Sequence, residues 1–588
     1  MAETHALKAL FYLLGKRDPP LADKPLRDEL LSIERLEERA RALAARFTLD
    51  PNPRRTSRNV LPRFDDNARV LREAYLSMAD DVHRGEFVTP AAEWLLDNFH
   101  LVASEVLDVR RNLPPGYYRE LPKLALRELV GDARVYALAV ELIRHSDSRL
   151  DRQQLVRFMN SYQAVAPLTI GELWAWPSML KLALIENLRR LAEETLEARE
   201  AVRAADAYVA RIDGAGEGTL PPFPRPFHTA FIVQLLQRLR EYGPRLSTVR
   251  AAVDTHLTAQ QMTSEDAIRS EHQRQAAAQV SVANAITSLR LCSTLDWSQY
   301  FEAVSLIEQV LQRDPAGAYP GMDFLSRDRY RQAVEELSEP TGEAQMRVAL
   351  RAVESARQAA ESGQAAGAAA HVGHHLIGKG RPDLELDIAY RPRLGRRARR
   401  FLFAHATAVY LGLIGLVTAL LLSLGISYLH GQGASPWVSA GAALPLLLLA
   451  SEVAIAFVQR LAARWAPPRR LPRLEFPAGI PDNAQTIVVV PTLLTSVPTV
   501  TGLIEHIEVL ALGNLDPRIH FALLSDFADA PAREMPEDEM ILSAARAGIE
   551  ALNARFGGER SGRFFLFHRV RQWNPKEGVW MGWERKRG

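Results

Sequence analysis

The sequence predicts a multidomain fold: a large all-α N-terminal region, a two-helix transmembrane hairpin, and then the truncated start of an α/β domain. Three observations predict this architecture. Apolar residues recur three and four positions apart through the N-terminal region, as they do in amphipathic helices. The stretch 401–451 contains no Asp, Glu, Lys or Arg. After residue 485, short apolar runs, the first of them β-branched, alternate with helical patterns, which is typical of a doubly wound α/β fold.

Length and composition exclude several classes of protein. A chain of 588 residues accommodates several domains of about 100–200 residues each. The net charge of only +2 argues against a nucleic-acid partner, which would require a strong basic excess. Cys292 is the one cysteine, so neither an internal disulfide nor a cysteine metal cluster is expected. The histidines at 371, 374 and 375 lack further ligands nearby in the sequence, so no metal site is predicted.

The chain is expected to divide into five segments. They are a cytoplasmic all-α region (1–380), a basic juxtamembrane linker (381–400), the transmembrane hairpin (401–460), a second linker (461–484) and a partial α/β domain (485–588). Four prolines between residues 220 and 227 mark a candidate subdivision of the first segment near residues 213–228. The first residues carry no basic stretch followed by an apolar one, so no cleavable signal is predicted and the N-terminal region is expected to stay cytoplasmic.

The N-terminal region is expected to consist of helices, one of which covers residues 167–212. Thr89 followed by Pro90 is typical of an N-cap with proline at the first helical position. Trp94, Trp174 and Trp176 are compatible with two interpretations. Aromatic rings can stack on sugars, but the neighbours of these residues are apolar at helical spacing, which favours a place in the core.

The hairpin is predicted from two apolar runs, 402–428 and 437–458, because a helix needs about 20 apolar residues to cross a bilayer. Arginines flank the pair on both outer sides, whereas the turn between the runs has no Lys or Arg. By the positive-inside rule, both flanks and therefore both termini are expected in the cytoplasm. The alternative is a buried hairpin in a soluble core, but such helices rarely lack charge on every face.

The α/β segment is expected to contain strands at 486–490, 519–524 and 563–567, with helices at 500–512 and 537–556 between them. Ligands of open parallel sheets bind beyond the carboxyl ends of the strands. Those ends are predicted at 491–496, 525–529 and 568–573. At this rim Thr492 offers a hydroxyl and Asp526 a carboxylate, a combination that suits a ribose and a base edge. Asp526 could instead cap the following helix.

Longer motifs carry a resemblance to a known family. They are Glu93-Trp-Leu-Leu-Asp-Asn-Phe-His100, Leu113-Pro-Pro-Gly-Tyr-Tyr118, Gly171-Glu-Leu-Trp-Ala-Trp-Pro-Ser-Met-Leu180, Met322-Asp-Phe-Leu-Ser-Arg-Asp-Arg-Tyr330, Val489-Val-Pro-Thr492 and Trp580-Met-Gly-Trp-Glu-Arg-Lys-Arg-Gly588. They spread over nearly the whole chain. In these motifs the sequence resembles the cyclic β-1,2-glucan synthases.

The resemblance implies a multi-pass protein of the bacterial inner membrane with a GT-A-like glycosyltransferase domain. Such an enzyme polymerises glucose from UDP-glucose through β-1,2 links on a protein-bound primer and closes the growing glucan into a ring. Carried over residue by residue, Thr492 and Asp526 would contact the nucleoside, and Lys586 and Gly588 would approach the diphosphate. Alternatively, Lys586 could be a solvated charge on the protein surface.

The family's later motifs are absent from this sequence. They are an Asp-x-Asp that binds a divalent metal (Mg²⁺ or Mn²⁺), an Asp general base, and a Gln-x-x-Arg-Trp. Transfer needs charge neutralisation on the diphosphate and a base on the acceptor. We therefore expect no catalytic residue, no bound metal and no turnover in this chain alone. It is expected to be the N-terminal fragment of a longer synthase, with the missing C-terminal part as its partner. The alternatives are another membrane glucosyltransferase making a linear glucan, and a non-enzymatic membrane-anchored helical scaffold.

Overall fold

The computed structural model describes residues 24–51, 58–86, 88–213, 223, 228–242, 247–259, 261–364, 368–392, 394–466, 468, 470–556 and 562–582. Over these residues the chain is mostly helical and separates into two compact units. The helical unit comprises Met1–Pro320 and Arg327–Arg469, and the α/β unit comprises Gly321–Ser326 and Arg470–Gly588. The candidate subdivision near residues 213–228 falls largely outside the described residues.

The helices described between residues 33 and 465 are, in chain order, α1 (Ile33–Arg46), α2 (Leu61–His83), α3 (Pro90–Asn112), α4 (Pro115–Glu120), α5 (Arg134–Ser146), α6 (Arg152–Gln163), α7 (Ile170–Asp213), α8 (Thr229–Tyr242), α9 (Ser247–Ala259), α10 (Ser264–Thr294), α11 (Trp297–Val304), α12 (Leu306–Leu311), α13 (Phe324–Thr341), α14 (Gln345–Ala359), α15 (Val372–Leu376), α16 (Arg381–Asp387), α17 (Leu394–Ala404), α18 (Ala406–Gly431) and α19 (Pro436–Trp465). Short 3₁₀ turns cover Tyr319–Gly321, Ala368–Ala370 and Asp482–Ala484, and a π turn covers Ala360–Gln364.

The long helix α7 is central to the helical unit, and it packs against α2, α3, α5, α8 and α10. It confirms the helix predicted over residues 167–212. A bidentate ion pair joins it to α5, because Glu172 accepts from Arg134 at 2.7 Å (Nε) and 2.5 Å (Nη2). Both side chains are buried, so each neutralises a charge that would otherwise be costly in the core.

The predictions for the N-cap of α3 and for the three tryptophans are confirmed in part. The Thr89 hydroxyl accepts a hydrogen bond from the Ala92 N–H, and Pro90 occupies the first helical position, as predicted. Trp176 is fully buried and Trp174 stacks on Phe301 with ring centroids 4.7 Å apart, which agrees with a place in the core. The same prediction is wrong for Trp94, which is 40% exposed.

Helices α18 and α19 pack against each other as the predicted hairpin, and both are long and apolar enough to cross a membrane. Within their most apolar stretches, 0% of the residues of α18 and 17% of those of α19 are buried, whereas a core hairpin of a soluble protein is mostly buried. The hairpin begins later than predicted, because the helix is interrupted at His405. The segment predicted as a basic linker contains α16 and the start of the separate helix α17.

The α/β unit contains β1 (Thr486–Leu494), α20 (Val497–Leu512), β2 (Ile519–Phe527), α21 (Asp538–Phe556), β3 (Phe564–Arg569), β4 (Gln572–Asn574) and β5 (Val579–Met581). Strands β1, β2 and β3 form a parallel sheet in that order, and β4 and β5 pair antiparallel. The predicted side-by-side pairing of the first two strands is confirmed. The predicted end of the first strand at residue 490 is wrong, since β1 continues to Leu494. Pro491 is tolerated there because β1 is an edge strand of the described sheet.

The two faces of the parallel sheet differ. Helices α20 and α21 contact each other and cover one face, where Phe521, Leu523 and Phe564 are buried. On the other face, Val489 and Phe567 remain 42% and 48% exposed. The strand ends are thus backed by helices on one side of the sheet.

Lys123, between α4 and α5, has a fully buried side chain whose Nζ donates to the Tyr118 carbonyl at 2.8 Å. Burial lowers the pKa of Lys123 to about 8, although Asp132 and Glu172 oppose the shift. Between about pH 8 and 9.5 the unfolded chain therefore binds more protons than the folded chain. Lys123 therefore contributes a rise of stability with pH of up to about 1.4 kcal/mol per pH unit in this window, and Cys292, whose pKa burial raises to about 12, contributes in the opposite direction.

Lys123→Met removes this titration, so the slope of stability against pH should decrease by up to that amount. Thermal unfolding of both proteins across this pH range, followed by circular dichroism in detergent, measures the difference. Lys379→Met, at an exposed lysine, is the matched control and should keep the slope. Equal slopes in the wild type and in Lys123→Met would contradict the assignment.

Candidate functional site

The carboxyl ends of the three parallel strands meet at one edge of the sheet. The register aligns Thr492 with Ser525 and Ser525 with His568, while the next row aligns Leu493 with Asp526 and Asp526 with Arg569. Successive residues of a strand point to opposite faces. The first row therefore lies on the helix-covered face, and the second row lies on the open face.

Asp526 forms a buried ion pair at this edge. Its side chain is 1% exposed, and Arg569 donates from Nε to Oδ1 at 2.9 Å and from Nη2 to Oδ2 at 2.6 Å. Bidentate guanidinium–carboxylate pairs of this kind are strong and directional. Gly582 closes over the pair, because a Cβ at this position would lie 2.7 Å from the Asp526 Cβ.

Asp526 does not cap the following helix. Helix α21 begins only at Asp538, and that residue's own carboxylate accepts from the Met535 N–H at 2.8 Å. The alternative in which Asp526 serves as a helix cap is therefore wrong. The carboxylate is instead held at the strand end by the neighbouring strand.

A hydroxyl and an imidazole lie in the adjacent row. The Ser525 hydroxyl lies 3.0 Å from His568 Nδ1, and Ser525 is fully buried. His568 Nε2 is buried without a hydrogen-bond partner among the described residues. Burial lowers the pKa of His568, and the nearby charge of Asp526 offsets part of the effect. A neutral ring keeps one nitrogen as an acceptor and one as a donor.

The loop after β2 is anchored from two directions. Arg571 donates from Nε to the Ala528 carbonyl at 2.6 Å and forms a buried pair with Asp538 in α21. Its guanidinium also lies 4.9 Å from the ring centroid of Phe527. Ala530 and Trp580 exchange two backbone hydrogen bonds of 2.8 and 2.9 Å. These contacts hold the rim next to Asp526 in place.

Of the four residues predicted to bind the nucleotide sugar, two, Thr492 and Asp526, lie among the described residues. Thr492 and Asp526 lie at the same edge on neighbouring strands, but their side chains point to opposite faces of the sheet. Thr492 is half-buried. Lys586 and Gly588 lie outside the described residues.

The sequence predicts residues 568–573 at the rim, but it gives no role for any of their side chains. The structure shows that Arg569 pairs with Asp526, that His568 contacts Ser525, and that Arg571 pairs with Asp538. The signal that could have identified the first pair is positional. A basic residue at the carboxyl end of one strand and an acidic residue at the end of the next suggest a cross-strand pair.

The described residues do not offer a metal site. No three His, Cys, Asp or Glu side chains among them come close enough to hold an ion. Both carboxylate oxygens of Asp526 already accept from a guanidinium, which is a poor environment for a second cation. The arrangement can offer hydrogen-bond acceptors and donors to a polar ligand at the rim, and it does not fit a divalent cation.

Removing either partner of the Asp526–Arg569 pair should destabilise the sheet unequally. Arg569→Met leaves a fully buried carboxylate without its counter-charge, and such a change costs about 3–5 kcal/mol. Asp526→Asn should cost less, because the Arg569 side chain is 25% exposed and can reach water. Hydrogen exchange of the full chain, read by mass spectrometry on peptides of β2 and β3, measures both effects.

The double variant should be more stable than the sum of the single effects predicts, which is the signature of direct coupling. Arg555→Met removes an arginine that is 66% exposed and should leave exchange in β2 and β3 nearly unchanged. Additive single effects, or faster exchange in Asp526→Asn than in Arg569→Met, would count against a buried pair.

Comparison with known proteins identifies a relative. No protein-family model matches the chain. Over 539 residues the chain is 36% identical to the cyclic beta-(1,2)-glucan synthase NdvB of Rhizobium meliloti (strain 1021). The match covers 90% of this chain but 19% of that protein's length. The resemblance seen in the sequence motifs is thereby confirmed, and over nine tenths of its length this chain belongs with the cyclic β-(1,2)-glucan synthases.

Proposed function

We propose that the chain is the N-terminal part of a membrane-bound processive glucosyltransferase that makes cyclic β-1,2-glucan from UDP-glucose. The observation that carries the proposal is the 36% identity to a protein named for that product, sustained over 90% of the chain. Because the chain spans only 19% of that relative, the activity, donor and product are assigned to the complete protein.

The geometry of the α/β unit supports a nucleotide-sugar site. Its parallel strands run in the order β1, β2, β3, and their carboxyl ends carry the polar side chains, as in α/β folds that bind nucleotides at this edge. We assign the unit to the start of a GT-A-like domain. Hydroxyl, imidazole and carboxylate groups at such an edge match the donors and acceptors of a ribose and a base.

Within this proposal Thr492 and Asp526 contact the nucleoside from two sides of the strand ends. Each oxygen of Asp526 has accepting capacity beyond its bond to Arg569, so the carboxylate can still accept from a ligand N–H or O–H. Arg569 then acts as a positioning residue that fixes the carboxylate. Lys586 and Gly588 are proposed to approach the diphosphate.

The chain alone is proposed not to turn over. Neutralising the leaving diphosphate takes a divalent metal, Mg²⁺ or Mn²⁺, and the acceptor hydroxyl takes a general base. The described residues do not offer a metal-binding set. We assign the metal, the base and the acceptor site to the missing C-terminal part of the synthase, which is the chain's proposed partner along with UDP-glucose and the growing glucan.

A non-enzymatic scaffold is the second candidate. It is favoured by the burial of the Asp526 side chain, which is 1% exposed in its pair with Arg569 and so has little contact with solvent at the rim. The genomic sequence downstream of the codon for Gly588 separates the two proposals. An open frame encoding Asp-x-Asp and Gln-x-x-Arg-Trp supports the synthase, whereas a stop codon without a partner frame nearby supports the scaffold.

Thr492→Val in the complete synthase should weaken use of the donor. Losing one hydroxyl that bonds the nucleoside costs about 0.5–1.5 kcal/mol, which is roughly 2- to 13-fold in kcat/KM for UDP-glucose. Incorporation of radiolabelled glucose from UDP-glucose into neutral glucan by isolated membranes measures the effect. Membranes containing this chain alone should incorporate none.

Thr486→Val is the matched control, because Thr486 is an exposed threonine at the amino end of β1, at the opposite edge of the sheet. It should leave kcat/KM unchanged at equal protein level. An unaltered kcat/KM in Thr492→Val would remove this residue from the nucleoside site. Glucose incorporation by the chain alone would overturn the proposal that the metal, the base and the acceptor site belong to the C-terminal part of the synthase.

The hairpin is proposed to span the bacterial inner membrane with both flanks in the cytoplasm. Ala434→Cys should then react with a membrane-impermeant maleimide in intact cells, whereas Asp482→Cys should react only after lysis. Cys292 gives little background, because it is 1% exposed and burial raises its pKa to about 12. Labelling of Asp482→Cys in intact cells would reverse the orientation.

A further inference from the structure

Helix α17 has an apolar side that the protein leaves uncovered. At 100° per residue, Leu394, Ala398, Phe401 and Leu402 fall on one side of the helix. Leu394 is 82% exposed, Phe401 62% and Leu402 38%. No residue of the helix is buried. We call these four residues the α17 stripe.

The opposite side of α17 is tied to the helical unit by ion pairs. Arg396 Nη1 lies 2.9 Å from Glu336 Oε1 in α13. Arg400 binds Glu385 in α16 through two hydrogen bonds of 2.8 and 2.5 Å. Arg381 bridges both carboxylates, at 2.7 Å from Glu336 and 2.8 Å from Glu385. These contacts fix the rotation of the helix, so the stripe is held facing away from the protein.

Two further arginines lie at the borders of the stripe. In the helical projection, Arg397 lies on one side of the stripe and Arg399 lies on the other. Arg397 makes no ion pair or hydrogen bond with the described residues, and Arg399 lies over the Phe403 ring at 5.5 Å. An apolar stripe bordered by arginines is typical of helices that lie in a membrane surface. Positive charge there is attracted to anionic lipid headgroups.

The position of α17 in the chain indicates what covers the stripe. Helix α17 ends at Ala404 and α18 begins at Ala406, so one residue separates α17 from a helix long and apolar enough to cross a bilayer. Along the chain, the stripe therefore leads directly into the apolar hairpin. Charge and continuity both favour a lipid surface over a second protein chain.

We propose that α17 lies in the plane of the cytoplasmic membrane surface, with its stripe at the acyl boundary and Arg397 and Arg399 on anionic phospholipid headgroups. Arg396 and Arg400 meanwhile hold the helical unit against the same surface. The inference rests on the proposed membrane placement of the hairpin. It adds to that placement a protein surface that binds anionic phospholipids.

Spin labels test the depth of the helix in the full chain reconstituted in vesicles of phosphatidylcholine and phosphatidylglycerol. A label on Phe401→Cys should be more accessible to oxygen than to a water-soluble nickel chelate. A label on Leu350→Cys, an exposed site in α14, should show the reverse. Equal nickel accessibility at both sites would overturn the proposal.

Lipid preference tests the two arginines. The fraction of motionally restricted spin-labelled phosphatidylglycerol, relative to spin-labelled phosphatidylcholine, should show a severalfold preference for the anionic lipid in the wild type. Arg397→Gln/Arg399→Gln should lower that preference at least twofold. Arg347→Gln/Arg357→Gln removes the same charge from exposed positions of α14 and should preserve it. An equal loss in both double variants would contradict the proposal.

Two outcomes distinguish the membrane placement of the hairpin from that of the surface helix. If the chain is washed from the vesicles by alkaline carbonate, the membrane placement of the hairpin is wrong and this inference falls with it. If the chain stays with the vesicles while the Phe401→Cys label remains in water, the hairpin proposal stands and the surface helix alone is wrong.

Discussion

The parallel register of three short strands decides where every polar group of the α/β unit lies. Because Thr492, Ser525 and His568 share one row and Leu493, Asp526 and Arg569 share the next, hydroxyl and imidazole lie on one face and the ion pair on the other. A slip of one residue would exchange the two faces. The ion pair, the hydroxyl–imidazole contact and the helix-covered core therefore all depend on one alignment.

Paired charges inside the protein reinforce such alignments. Arg571 with Asp538 in the α/β unit and Arg331 with Glu308 in the helical unit are both nearly or fully removed from solvent. A pair of this kind contributes little net stability, but separating its members leaves a buried charge unpaired. The pairs thus penalise misassembled arrangements more than they favour the native one. The Asp526–Arg569 pair plays the same part at the candidate site.

The coarse architecture could be predicted from the sequence because it follows from periodicity. Helical spacing predicted α7, the uncharged stretch predicted the hairpin, and short apolar runs between helical patterns predicted the neighbouring strands β1 and β2. Predictions failed where a single residue overrides the pattern. The break at His405 divides an apolar run into α17 and α18, and Pro491 continues a strand rather than ending it, because its position at the sheet edge requires no N–H.

At the site, residue types were predictable but their partners were not. Asp526 was placed at the rim by the strand pattern, whereas its pairing with Arg569 depends on a register between segments more than 40 residues apart, which local sequence does not encode. The exposure of Trp94 has a similar origin. Apolar neighbours at helical spacing indicate one buried side of α3, but they do not say how far that side extends around the helix.

Gly582 shows how a contact with a residue distant in sequence can restrict which side chains a loop position accepts. The residue belongs to an irregular segment after β5, where many side chains are usually accepted. A Cβ there would lie 2.7 Å from the Asp526 Cβ and 3.0 Å from its Cγ, so even alanine would require Asp526 or the segment around position 582 to shift. The tolerance of position 582 to mutation is therefore set by an aspartate 56 positions earlier in the chain, and not by the loop in which the glycine itself is found.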